Sequence, residues 1–146
     1  MNIRIMKISD YEQVYNMWLS CVGMGFNNVD DSKEGIEKFL KRNPTSCFVA
    51  IEDNIVVGAV ITGNDGRRGY IYHLAVNPKY RNKGFGTALV NDAMKALEDL
   101  GINKVALLTF KRNEVANAFW EKQGFTTRDD INYRNKQIKE LVRIDT

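Results

Sequence analysis

The spacing of apolar residues along the chain switches repeatedly between the two-residue period of a β-strand and the 3.6-residue period of a helix. For example, Tyr11, Val14 and Trp18 recur at helical spacing after Ser9 or Asp10, either of which can cap a helix. The predicted elements are, in chain order, a strand over 1–7, a helix from Ser9 or Asp10 to about Leu19, a Gly/Asn-rich loop over 23–31, a helix from about Ser32 to Lys41, strands over 47–51, 55–61 and 70–76, a helix from Gly84 or Gly86 to Leu100, a strand over 105–109, a helix from Asn113 to about Gln123, and a final hairpin over 125–138. This alternation is typical of an α/β domain.

The strand over 70–76 is apolar or aromatic on both faces, so we expect it to lie centrally with helices covering both faces. The strand over 105–109 is also expected to be buried. Because one long helix joins these two strands, they form a parallel pair in an otherwise antiparallel sheet. The pattern therefore predicts a single α/β domain over 1–146, with a mixed, mostly antiparallel sheet and helices on both faces.

Composition narrows the functions that this fold can have. The chain of 146 residues is 44% hydrophobic and 27% charged, as expected for a globular protein. No run of about 18 apolar residues is present, so we expect no membrane span, and residues 1–7 have the pattern of a strand and not of a signal peptide. The scattered net charge of +3 suits a polyanionic small ligand and is too weak to indicate nucleic acid. Cys21 and Cys47 are expected to be buried free thiols in a cytoplasmic protein, and no Cys/His/Asp cluster predicts a metal site.

The segment 77–87 is the richest in candidate chemistry. It lies between a strand and a helix N-terminus, where unpaired N–H groups and the helix dipole can bind phosphate. Gly84 and Gly86 let the backbone approach an anion, and Arg81 and Lys83 add positive charge. From the Gly-x-Gly pair alone, an ordinary strand-to-helix turn with solvated basic residues is the simpler interpretation. The nucleotide-triphosphatase loop and the three-glycine dinucleotide fingerprint are both missing from the sequence.

Residues 81–86 (Arg-Asn-Lys-Gly-Phe-Gly) resemble the pyrophosphate loop Arg/Gln-x-x-Gly-x-Gly/Ala of the GNAT superfamily of N-acetyltransferases. The similarity continues on both sides of this loop. Residues 74–80 resemble the family's fourth strand and its exit, and residues 113–125 (Asn-x-x-Ala-x-x-Phe-Trp-x-x-x-Gly-Phe) resemble the exit of the fifth strand and the helix that follows. Three motifs in this order and spacing are specific for the fold and the cofactor.

The resemblance implies an N-acetyltransferase that binds acetyl-CoA, without a metal, in a cleft where the fourth and fifth strands splay apart. Backbone groups of Leu74 and Val76 would bond the pantetheine arm, and the N–H of Leu74 would polarise the thioester carbonyl as an oxyanion donor. Asn113 would reach the pantetheine or acetyl end while also capping its helix. The cofactor-binding residues implied in this way are Leu74, Ala75, Val76, Arg81, Asn82, Lys83, Gly84, Phe85, Gly86, Thr87 and Asn113.

The residues that would move protons depart from the family's pattern. Many members have a Tyr, thought to protonate the leaving thiolate, where this chain has Trp120. Indole cannot deliver a proton, so Trp120 is interpreted as core packing. Some members carry a glutamate at the position of Leu108 and others at that of Tyr70, and neither carboxylate is present here.

Other candidates for the base lie on the fourth strand. Tyr70 or Tyr72, on the same parity as Leu74, could line the cleft and relay a proton through water, although packing is the default role for both. His73, the only histidine, belongs to the residue type that titrates near neutrality. It has the opposite parity, shared with Ile71, and is interpreted as a hydrogen-bonded structural residue.

The acceptor implied by the resemblance is a primary amine of a small molecule or a peptide. Asp30 and Asp31 could attract a cationic amine and Phe26 could wall its site, while a solvated, acidic helix N-terminus explains the same residues equally well. Because of Trp120 and the missing carboxylates, a second function stays open, that of a non-catalytic module that binds or senses acyl-CoA. A nucleic-acid adaptor that uses the basic residues Arg67, Arg68, Lys79, Arg81 and Lys83 is disfavoured by the small charge, and a homodimer is left open.

Overall fold

The computed structural model describes residues 1–144 of the chain. The elements are β1 (Asn2–Ile5), α1 (Tyr11–Leu19), α2 (Lys33–Arg42), β2 (Phe48–Glu52), β3 (Ile55–Asn64), β4 (Gly69–Val76), α3 (Phe85–Asp99), β5 (Val105–Leu107) and α4 (Glu114–Lys122). Short 3-10 helices over Ile8–Asp10 and Pro78–Tyr80 precede α1 and α3.

The five strands form one sheet in the order β1-β2-β3-β4-β5. The first four strands pair antiparallel, and β4 pairs parallel with β5 after the crossover through α3. Helices α1 and α2 pack on one face and α3 and α4 on the other. The predicted fold class is therefore confirmed, including the parallel pair and the helices on both faces.

Strand β3 separates the two hydrophobic cores and is buried along almost all of its length. Ala59 and Ile61 face α1 and α2, whereas Val57 and Val60 face α3 and α4. The prediction that β4 would lie centrally is confirmed, since β3 and β5 flank it, but its cover on both faces is incomplete in the first half. Tyr70 and Tyr72 are 39% and 57% exposed there, although the Phe39 ring of α2 lies 5.7 Å from the Tyr72 ring between centroids.

The predicted helix ends are mostly confirmed because they depend on local signals. The Ser32 hydroxyl accepts the Gly35 N–H at the start of α2, and Gly101 follows α3 with a φ of +82°. Asp10 occupies the predicted N-cap position of α1, but its side chain accepts no N–H of that helix. The Asp10 carboxylate instead accepts the Lys7 N–H at 2.8 Å and pairs with the Arg4 guanidinium at 2.8 Å, which fixes the 3-10 turn before α1. No helix within residues 1–144 is both long and apolar enough to cross a membrane.

The end of the chain differs most from prediction. A buried strand over 105–109 was predicted, but β5 has three residues, of which Val105 and Leu107 are half-buried and Ala106 is exposed. Residues 125–138 form no hairpin. The apolar side chains of this segment, at Ile131, Tyr133 and Ile138, are exposed because no sheet face is offered to them. The tail is instead held near its end, where the Asn28 N–H donates to the Val142 carbonyl at 3.0 Å.

Candidate active site

The parallel pair opens into a cleft after only three residue pairs. Gly69, Tyr70 and Ile71 pair with 105–107, and from there β4 continues to Val76 with no partner strand on that side within the described residues 1–144. The splaying implied by the resemblance is thus present. It leaves one side of β4 without a neighbouring strand over about half of its length.

Hydrogen bonding to β3 determines which backbone groups of β4 face this cleft. The Asn77 N–H donates to the Val57 carbonyl at 2.8 Å, and hydrogen-bonded pairs alternate along an antiparallel ladder. The polar backbone groups of Ala75 therefore point to β3, whereas those of Leu74 and Val76 point into the cleft. The N–H of Leu74 thus has the orientation expected of the predicted oxyanion donor, and Ala75 offers the cleft no free backbone group.

The N-terminus of α3 forms one end of the cleft, called here the phosphate end. The first bond within this helix runs from the Ala88 N–H to the Gly84 carbonyl at 3.1 Å, so the N–H groups of residues 85–87 have no partner in the helix. Asn82 and Gly84 hold positive φ angles of +61° and +87°, which turn the loop around this end. The arrangement is that of an anion site at the positive end of a helix dipole.

The glycines and basic residues of this loop have different roles. A Cβ on Gly86 would lie 3.4 Å from the Phe119 ring, so this glycine allows α3 and α4 to pack closely. Arg81 lies in the cleft, where its Nε donates to the Val76 carbonyl at 3.2 Å. Lys83 lies outside it, with its ammonium 5.4 Å from the centre of the Tyr80 ring. Of the two predicted basic side chains, only Arg81 therefore lines the cleft.

Three further predicted contacts lie on the wall formed by α3 and α4. The Asn113 side chain accepts the Ala116 N–H at 3.1 Å, which confirms its role as a cap of α4, and its amide nitrogen is directed at Gly23 across the cleft. The Phe85 ring is buried in the core, so only its backbone N–H can reach a ligand. The Thr87 hydroxyl accepts a hydrogen bond from the Gln123 amide at 3.0 Å at the rim.

An aromatic cluster forms the opposite end of the cleft. The Tyr72 ring lies 5.7 Å from the Phe39 ring and 6.1 Å from the Tyr70 ring, between centroids. Burial raises the pKa of Tyr72, and the neighbouring Tyr70, Tyr133, Asp30 and Asp65 raise it further. A phenol with a raised pKa stays protonated near neutrality, so it is a better hydrogen-bond donor than base.

A β-bulge changes the predicted side-chain directions on β4. Ile61 pairs with His73 but the next residue, Thr62, pairs with Ile71, so Tyr72 is an extra residue in the strand. Strict alternation predicted that His73 and Ile71 would share a face. Instead Ile71 packs with the α3 core, while His73 packs on the other face, with Trp18 of α1.

His73 is buried, 9% exposed, and its Nε2 lies 2.7 Å from Asp31 Oδ1. The prediction that this histidine is hydrogen-bonded is confirmed. Asp31, considered as a surface charge for attracting an amine, is instead 5% exposed and also accepts the Asn27 N–H at 2.8 Å. Sequence reasoning missed this pair because its members are 42 residues apart. His73 keeps the predicted parity opposite to Leu74, whereas the bulge puts Tyr72 on the His73 side and Ile71 on the other, against prediction.

One cavity of about 2180 Å³ connects the phosphate end with the aromatic end. Sites for a single small ligand typically measure about 300–1,000 Å³, so this cleft has room for two ligands end to end. Trp120 borders it from the core side, where its ring contacts Phe119 and Phe125 with centroids 5.1 and 5.2 Å away. The predicted packing role of Trp120 agrees with this position.

A mixed sheet whose parallel pair opens beside a helix N-terminus is the arrangement that the resemblance implied, that of the CoA-dependent acyltransferases. Comparison of the sequence with known proteins leads to the same class. The model of the acetyltransferase (GNAT) family matches residues 11–125. An acetyltransferase of Yersinia pestis (strain Pestoides F) is 34% identical over 131 residues, which are 90% of this chain and 92% of that protein.

Solved structures show the same fold. The PaiA N-acetyltransferase from Thermoplasma acidophilum in complex with coenzyme A has a TM-score of 0.77 at 21% identity, over 88% of this chain and 91% of that one. An aminoglycoside N-acetyltransferase in complex with CoA has a TM-score of 0.71 at 16% identity, over 93% and 99%. The chain belongs to the GNAT family of acetyltransferases, as its three motifs predicted.

Proposed function

We propose that this protein transfers the acetyl group of acetyl-CoA to a primary amine of a small molecule or a peptide by direct attack on the thioester. The observation that carries this proposal is the backbone of β4 at Leu74 and Val76, which faces away from β3 beside the N-terminus of α3, with the Val76 carbonyl accepting from Arg81. Acetyl-CoA needs a hydrogen-bond donor for the oxyanion at its thioester end and an anion site at its pyrophosphate end. Both features lie in one cavity.

Binding of the cofactor is proposed to begin at the loop before α3. The N–H groups of residues 82–87 hold the pyrophosphate, with Arg81 beside it, and the pantetheine arm follows the open side of β4 past Val76. Lys83 contributes its N–H, since its side chain lies over Tyr80. Asn113 supports the arm from the α4 side.

Transfer itself requires charge stabilisation at the acetyl oxygen. The neutral amine attacks the acetyl carbon, the oxygen becomes negative opposite the Leu74 N–H, and the carbon–sulfur bond breaks to release the CoA thiolate. A thiol with a pKa of about 8.5 leaves as a tolerably stable anion, so water can protonate it without help from Trp120. Tyr70 and Tyr72 are proposed to orient the amine or a water as hydrogen-bond donors.

The aromatic end of the cleft is the proposed acceptor site. Rings of Phe39, Tyr70 and Tyr72 offer faces to a cation, and the Asp30 carboxylate near Tyr72 adds attraction for an ammonium. An aminoglycoside, which the structural neighbour named above acetylates, is one amine of this kind and belongs in the test panel.

Thermal unfolding with acetyl-CoA tests the cofactor, and thiol release tests the reaction. Acetyl-CoA at a hundred times its Kd should add about 2.7 kcal/mol, or about 5–10 °C in Tm. Thiol release should exceed the rate without amine for at least one of a polyamine, an aminoglycoside, lysine and a peptide with a free N-terminus. Stabilisation without turnover would favour the acyl-CoA-binding module, and no thermal shift at all would refute the cofactor assignment.

A further inference from the structure

The buried pair of Asp31 and His73 has an unfilled hydrogen-bonding position beside the cleft. His73 uses Nε2 for Asp31 at 2.7 Å, while its Nδ1 is buried without a partner among the described residues. A buried polar atom left unpaired destabilises the fold, so such an atom calls for a function or a bound water. Asp31 and His73 both line the same cavity as the phosphate loop and the aromatic cluster.

The surroundings determine which protons the pair carries. The Asp31 carboxylate accepts from the Asn27 N–H with Oδ2 and faces His73 with Oδ1, so His73 donates through Nε2–H. In the neutral imidazole, this arrangement leaves the lone pair on Nδ1. The indole N–H of Trp18 is also buried without a partner, and the two rings lie 5.0 Å apart between centroids. One water between them would accept from Trp18 and donate to Nδ1.

We propose that His73 is the general base of acetyl transfer and that Asp31 holds its tautomer and stabilises its protonated form. This assignment rests on the proposed function. It follows from the bulge, which brings Tyr72 and its contact with Phe39 to the same side of β4 as His73, one residue before the proposed oxyanion donor Leu74. Tyr72 of the proposed acceptor site, the base His73 and the oxyanion donor Leu74 are therefore consecutive residues of β4.

The proton balance of the step is complete with groups already named. Nδ1 takes one proton from the acceptor ammonium through the bound water, and the free amine attacks the acetyl carbon. The new amide nitrogen releases its second proton to water, water protonates the departing thiolate, and His73 releases its proton to solvent after the product leaves. Gaining a proton turns the negatively charged buried pair into a neutral ion pair, which favours the transfer.

Among the described residues packed against the imidazole, Asp31 supplies the charged group. Trp18 from α1 and Phe26 from the following loop contribute neutral rings, and Ile61 contributes the neighbouring strand. The pH dependence of the reaction should therefore respond to Asp31 in particular.

The alternative is that the pair only clamps the loop before α2 onto β4. Kinetics with His73→Gln, which retains a donor for Asp31, separate the two roles. With the fastest amine of the panel above, we expect kcat/KM at pH 7 to fall about a hundredfold, within the range of general base catalysis. For a lysine-type amine the loss should shrink below tenfold towards pH 10, because such an amine has a pKa of about 10.4 and then supplies its own free base.

Two further variants make the comparison specific. Asp31→Asn should reduce kcat/KM at pH 7 with the same recovery at high pH, while the Kd for acetyl-CoA stays within twofold of the parent. Asp10→Asn is the matched control, since Asp10 is also 5% exposed and paired, but with Arg4 away from the cleft. A loss in His73→Gln that is constant from pH 7 to 10, or an equal loss in Asp10→Asn, would overturn the proposal.

The single histidine allows a test that needs neither turnover nor a variant. Long-range proton–nitrogen NMR of the 15N-labelled protein reports one imidazole, so its tautomer can be assigned without ambiguity. We expect the proton on Nε2 and an unprotonated Nδ1 at pH 7.5. A proton on Nδ1 would refute the base assignment even if acetyl transfer is confirmed, whereas the expected tautomer without turnover of any amine would point to failure of the proposed function.

Discussion

Replacing Gly84 by alanine should separate the conformation of the phosphate loop from the stability of the fold. Gly84 has a φ of +87°, and an added Cβ would approach nothing closer than the Met1 terminal methyl at 3.9 Å. The substitution therefore introduces backbone strain without a clash, at a cost of about 1–2 kcal/mol. Relief of that strain requires the loop to move, which turns the N–H groups at the start of α3 away from the pyrophosphate.

Gly101 is the matched control at the other end of the same helix. Its φ is +82° and no atom lies within 4 Å of an added Cβ, so Gly101→Ala should lose a similar stability, about 3–8 °C in Tm. By isothermal titration, Gly84→Ala should bind acetyl-CoA at least about tenfold more weakly than the parent, or about 1.4 kcal/mol, and Gly101→Ala should bind normally. Unchanged affinity in Gly84→Ala would show that the N-terminus of α3 does not hold the cofactor.

Two other predictions concern packing and pH. Trp120→Phe should cost about 1–3 kcal/mol of stability and keep kcat within tenfold of the parent. Trp120→Tyr should raise kcat at higher pH if its phenol reaches the thiolate. A hundredfold loss of kcat in folded Trp120→Phe would contradict the packing role. Burial of Asp10 opposes its ionisation, but hydrogen bonds from Arg4 and the Lys7 N–H outweigh burial and lower its pKa below 3.8. The resulting stability is present above about pH 4 and is lost as the pH falls through the lowered pKa. The free energy of unfolding in urea should therefore depend less on pH between 5 and 2 for Asp10→Asn than for the parent. Parallel plots of that free energy against pH for the two proteins would refute the contribution of Asp10.

The parts of the fold that could be predicted from the sequence have local causes. Ser32 and Asn113 cap their helices through bonds to residues three positions away, and the loop before α3 follows from its glycine and its position after a strand. The family motif added the cleft and the cofactor, neither of which periodicity could supply.

The parts that could not be predicted depend on pairing between distant residues. The bulge at Tyr72 exists because Ile61 and Thr62 on β3 fix the register on either side of it, and no residue type in 70–76 marks it. The position of His73 and its contact with Asp31 follow from that register. The predicted hairpin after Phe125 failed for a related reason, since β5 ends at Leu107 and offers a second strand pair too little length to build on.

The open side of β4 has a consequence for the solution behaviour of the protein. Beyond Ile71, the backbone groups of Leu74 and the N–H of Val76 face away from β3 with no strand beside them among residues 1–144, which makes this stretch a sheet edge located inside the molecule. Exposed edges of this kind are templates on which a strand of another chain can add. Acetyl-CoA bound along β4 would satisfy those groups in place of a strand, so the empty protein should be the aggregation-prone form and the cofactor should act as its protecting cover.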